Sequence, residues 1–117
     1  MIPNHAQSLE RLASLSRMLD KATDEIAQLD EEAVRAKQTL EVAYARVFLD
    51  AAGSMELRRQ IAIWETRDEN LTYELAAAKV RAVKERIRTL AIQIEVGRSL
   101  ASAHKTQFTA EASGQYT

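Results

Sequence analysis

The sequence predicts an all-α fold: two long helices in an antiparallel coiled-coil hairpin, assembling into a helical bundle. Three observations carry that expectation. Only three glycines and one proline punctuate the 117 residues, too few for the many turns of a sheet protein. One Trp, three Tyr and two Phe leave few large anchors for a compact core. Apolar residues also recur at alternating steps of three and four, which keeps one narrow stripe against a partner helix.

The first helix is expected over about residues 5–52. Pro3-Asn4 followed by Gln7 has the form of a capping box, in which Asn4 and Gln7 satisfy free N–H groups of the first turn. From there to Ala52 neither Gly nor Pro occurs, and most residues are good helix formers. The turn is expected near 53–54. Gly53 suits the left-handed conformation that ends a helix, and Ser54 can cap the next one. The second helix follows over about 55–111, with a frayed tail at 112–117 around Ser113-Gly114-Gln115. Thr66-Arg67-Asp68-Glu69 also has capping-box form and marks a place for a kink, although the apolar pattern runs on through it.

Heptads organise both helices. In the first, Leu12, Leu19, Ile26, Ala33, Leu40 and Val47 form one series; Leu15, Ala22, Leu29, Ala36 and Ala43 form the other. At about 1.5 Å per residue this helix is roughly 70 Å long and needs another helix beside it. The second helix divides into two phases. Leu57, Ile61, Trp64, Leu71, Leu75 and Ala78 form the first, interrupted by Asp68; Val80, Val83, Ile87, Leu90, Ile94 and Ala101 form the second. The small residues of Leu75-Ala76-Ala77-Ala78 are expected to absorb the change of phase.

Folding the chain back at Gly53 sets Leu12 opposite Ile94, Leu19 opposite Ile87 and Ile26 opposite Val80. It also sets Ala33 opposite Leu75, Ala36 opposite Leu71 and Ala43 opposite Trp64, small against large as close packing requires. Burial of Trp64 against Ala43 is expected, and Leu71→Asp should cost several kcal/mol by burying a charge in the seam. The charges agree with this pairing. Residues 1–53 carry six basic and nine acidic groups, whereas residues 79–105 carry seven basic and two acidic ones. The acidic cluster Asp20, Asp24, Glu25, Asp30, Glu31 and Glu32 would flank the basic stretch, and many weak pairs together would select the register.

Composition also excludes. With 16 Lys+Arg against 17 Asp+Glu, the formal net charge is −1, unlike a histone-like or polybasic protein. Zero cysteines exclude disulfides and thiolate metal sites and fit a reducing compartment. Met1-Ile2-Pro3-Asn4-His5 lacks the basic and apolar regions of a signal peptide. No uncharged run exceeds nine residues, against roughly 20 needed to span a bilayer. A soluble, cytoplasmic protein without a membrane partner is expected. Neither His5 nor His104 has a partner at metal-ligand spacing, and no phosphate loop or nucleophile motif occurs. The expectation is a non-enzyme with no catalytic residues, no cofactor and no metal.

Two binding chemistries remain. Val42, Phe48, Leu49, Ile63, Tyr73, Ile92, Val96 and Leu100 lie outside the two stripes, and a two-helix hairpin has no third layer to cover them. They are the candidate protein interface, for further copies of the chain and for another protein. Gly97 fits a close backbone approach there, or a kink, since glycine inside a helix costs about 1 kcal/mol relative to Ala. The alternative is accessory nucleic-acid binding through Arg58, Arg59, Arg67, Arg81, Lys84 and Arg88. The competing role for the basic stretch is to neutralise the acidic segment, and no aromatics interleave with it to stack bases.

The chain departs from the small helical hairpins exported by specialised secretion systems. Their Trp-x-Gly sits in the turn, whereas here the turn is Ala51-Ala52-Gly53-Ser54 and Trp64 precedes Glu65-Thr66. Ala45-Arg46-Val47-Phe48-Leu49 before a Gly-Ser break, then an Ala- and Arg-rich helix ending in Ile94-Glu95-Val96-Gly97-Arg98-Ser99-Leu100, resembles small coiled-coil accessory proteins of actinobacterial phages. That resemblance covers about half of the chain. It implies an accessory role in the host cytoplasm, as a host-interaction factor or, in the alternative, in phage recombination or replication, and it implies no catalytic activity.

Overall fold

The computed structural model describes residues 4–112, and these are almost wholly helical: α1 spans His5–Asp50, α2 Met55–Glu65 and α3 Arg67–Ala112. The tail expected at 112–117 lies almost wholly outside the described residues. At the start of α1, the Asn4 N–H donates to Gln7 Oε1 and the Gln7 N–H donates to Asn4 Oδ1, both at 2.9 Å. Two otherwise unsatisfied groups are thereby met reciprocally. The turn uses Gly53 at φ +112°, a conformation costly for any residue with a Cβ. Ser54 then caps α2, its hydroxyl accepting from the Leu57 N–H at 3.1 Å.

The second helical run is divided at Thr66, which has φ −106° and ψ 19°. Its N–H donates to the Ala62 carbonyl at 3.1 Å, and its hydroxyl donates to the same oxygen at 2.7 Å. The same hydroxyl bond at Thr23, Thr39, Thr72 and Thr106 leaves the helix unbroken, so it accompanies the division at Thr66 without accounting for it. Only 2% of Thr66 is exposed, so the hydroxyl must find its partner within its own backbone.

Two compact units divide the chain. The terminal unit holds residues up to Asp24 and from Glu85 on; the turn unit holds Glu25–Lys84. The helical segments run antiparallel within each. In the terminal unit the Ser8 hydroxyl lies 3.0 Å from His104 Nδ1, and a Cβ built on Gly97 would stand 2.8 Å from Leu12 Cδ2. Leu12 therefore meets Gly97, three residues beyond the expected Ile94, because glycine leaves the hole that a leucine side chain fills. Within the chain, the atoms that come closest to Gly97 belong to the Leu12 side chain.

Along α1 the buried and half-buried positions follow the expected heptads and extend them to Ser8 and His5. On the other side the seam departs from expectation. It runs through Ala62, Thr66, Glu69, Tyr73, Ala76, Val80, Val83, Ile87, Leu90, Ile94, Gly97, Ala101 and His104, at unbroken steps of three and four from Thr66 onward. The second predicted phase is the seam, and most of the first is not. Leu57, Trp64, Leu71 and Leu75 are all more than half exposed, and Ala78 is exposed as well; only Ile61 is half-buried.

The reason is geometric. Ala78 and Val80 are two residues apart, about 200° around a helix. One regular helix cannot present both to the same partner, and small side chains do not alter that. The facing pairs change accordingly. Ala43 shares a hollow with Glu69, not Trp64, and Ala33 shares one with Tyr73, Ala77 and Val80, not Leu75.

Candidate interaction surfaces

The candidate interface residues separate by unit. In the terminal unit Ile92, Val96 and Leu100 are exposed and lie at successive turns of α3. With Gly97 of α3 and Ser8 and Arg11 of α1 they line a hollow of about 190 Å³. Gly97 presents no side chain to this surface, and Leu12 packs against it.

In the turn unit the candidates do not form one group. Val42 and Leu49 are exposed on α1, and Ile63 on α2. Ile63 lines an apolar hollow of about 450 Å³ with Leu40, Tyr44 and Thr66, whereas Val42 lines another with Ala43, Arg46 and Glu69. Phe48 and Tyr73 are half-buried and serve the fold. Phe48 lies 6.2 Å from Tyr44, ring to ring, and under the Arg58 guanidinium at 4.5 Å. Tyr73 occupies a seam position.

The candidate nucleic-acid residues are also unequal. Arg58 donates through Nε and Nη2 to the Phe48 carbonyl, at 3.1 and 3.0 Å, satisfying a carbonyl in the last turn of α1. Arg67 stacks over Trp64 at 4.1 Å and donates to the Trp64 carbonyl at 2.8 Å. Arg59 pairs with Glu56 at 2.6 Å and Arg88 with Glu85 at 2.9 Å. Arg81 and Lys84 are exposed, one turn apart on α3. Of the six, these two have no described hydrogen bond or ion pair. Arg88 belongs to the other unit.

Five polar seam positions, His5, Ser8, Thr66, Glu69 and His104, carry no apolar signal and were missed by hydrophobic patterning. Ser8 is 4% exposed and meets His104; Thr66 is bonded to its own helix. Glu69 buries its Oε2 without a hydrogen-bond partner, in the hollow it shares with Arg35 and Arg46. Strict continuation of the 3-4 spacing back from Val80 would have found Glu69 and Thr66.

Among the described residues no group of three or more His, Asp or Glu could hold a metal ion. None of their helices is long and apolar enough to cross a membrane. No family model, curated protein or solved structure matches the chain.

Proposed function

We propose that this is a non-enzymatic coiled-coil protein that self-associates into a helical bundle and binds another protein. The observation that carries this reading is the set Ile92, Val96 and Leu100, exposed together around the hollow at Gly97. Contiguous apolar surface of this kind marks an interface, whereas scattered apolar residues do not. Exposed Val42, Leu49 and Ile63 add apolar surface in the turn unit. Within the resemblance to actinobacterial phage proteins, the role is that of an accessory or host-interaction factor in the cytoplasm.

The second reading is accessory nucleic-acid binding in phage recombination or replication. The exposed pair Arg81 and Lys84 favours it. Against it, Arg58 and Arg67 are engaged with the backbone carbonyl and aromatic ring of Phe48 and Trp64 in the preceding helices, and Arg59 and Arg88 are paired with neighbouring glutamates.

Light scattering after size exclusion, at low and high salt and with a mixed-sequence DNA, separates the two. Phosphate binding weakens steeply with salt, while an apolar interface tolerates it. A salt-resistant oligomer indifferent to DNA is the expected result. A salt-sensitive shift with DNA would favour the second reading.

A further inference from the structure

Trp64, Leu71, Leu75 and Ala78 are spaced seven, four and three residues apart, and all are exposed. They lie on the back of α2 and α3, about half a turn from the seam positions Ala62, Thr66, Tyr73 and Val80. Their spacing is that of a helix-pairing stripe, yet apart from the Arg67 guanidinium stacked on Trp64 nothing described within the chain covers it. We infer that this stripe pairs antiparallel with the same stripe of a second copy. The inference rests on the self-association proposed above and names its surface.

Charge selects both the occupant and its direction. Asp68 holds the one polar position in the stripe. A parallel, in-register copy would set Asp68 against Asp68 in an apolar seam, where like charges repel. An antiparallel copy sets Asp68 beside Leu71 and Trp64 beside Leu75. The same pairing brings Arg67 at the stripe's edge opposite Glu74 of the other copy, twice by symmetry. Arg67 is already held at that edge by its stacking on Trp64, so little side-chain freedom is lost on pairing. A self-complementary patch of this kind closes into a two-fold dimer and leaves no open end.

Two experiments test the inference. In light scattering across a concentration series, wild type should dimerise, and Leu71→Asp should stay monomeric with unchanged helical circular dichroism. The absence of cysteine permits orientation mapping with Trp64→Cys and Leu75→Cys, which leave Asp68 in place. Mixed under mild oxidant, the two variants should give the mixed disulfide several-fold faster than Leu75→Cys cross-links to itself. A wild type that stays monomeric would overturn self-association altogether. An oligomer that survives Leu71→Asp would overturn only this surface. Dominant Leu75→Cys self-linkage would overturn the antiparallel direction.

Discussion

Two glycines act at the residue scale, for different reasons. Gly53 is required by its backbone: at φ +112° a Cβ is strained, and it would also stand 2.8 Å from Leu57 Cδ2. Gly53→Ala is therefore expected to cost about 1–3 kcal/mol, read from chemical denaturation. Gly97 has ordinary helical backbone and is required, if at all, by Leu12. Its substitution gains about 1 kcal/mol of helix propensity but forces Leu12 aside. A double-mutant cycle separates the two terms. Gly97→Ala should stabilise a Leu12→Ala background more than it stabilises wild type, and strict additivity would show that the contact carries no energy.

At the scale of elements, the position of the α3 seam has a direct test. Val80 is 7% exposed and Leu71 58%. Val80→Asp buries an unpaired charge and should cost about 3 kcal/mol or more. Leu71→Asp, in dilute protein, should stay within about 0.5 kcal/mol of wild type. Equal destabilisation by the two would place the seam back on Leu71. Thr66→Val tests the division between α2 and α3. The Ala62 carbonyl keeps the backbone N–H of residue 66, so the melting temperature should hold or rise. A large loss would show that the hydroxyl is needed.

These elements also show what the sequence could and could not reveal. The α1 heptads, the capping box at Asn4 and the Gly53-Ser54 turn were legible, because each depends on residues near in sequence. The seam of α3 was legible from Val80 to Ala101 but not in the stretch before it. Two stripes of the right period compete there, and the larger side chains of Leu57, Trp64, Leu71 and Leu75 made the wrong one conspicuous. Rotational continuity decides between them, so the weaker-looking run through Ala62, Thr66, Glu69 and Tyr73 faces inward. The candidate interface was legible only in part. Ile92, Val96 and Leu100 follow from lying off the seam, while the hollow at Gly97 depends on where Leu12 lands across the pair. Phe48 and Tyr73, expected outside the stripes, are half-buried: Phe48 lies between Tyr44 and Arg58, and Tyr73 holds a seam position.

Taken as a whole, the molecule has a thin core. Among the described residues nine apolar side chains are buried, and Ala22, Ala33, Ala62 and Ala101 are four of them. Alanine removes little apolar surface from water, so the main contributions come from Leu15, Val80, Val83, Leu90 and Ile94, roughly 1.5–3 kcal/mol for each fully buried side chain. No large side chain among the described residues is completely buried. The ion pairs Arg35–Glu31, Arg59–Glu56, Arg88–Glu85 and Arg98–Glu95 run along single helices at exposed positions, and such pairs add little. With so little buried within the chain, anything that binds the exposed apolar faces of the folded state should add visibly to its stability. If further copies do so, the melting temperature must rise with protein concentration. A copy present at a hundred times its dissociation constant contributes about 2.7 kcal/mol, a shift on the order of 10 °C for a domain of this size. Thermal denaturation followed by circular dichroism across that range is the check. A midpoint independent of concentration would count against self-association, and pull-down with immobilised protein and its Val96→Asp variant would then be the informative comparison.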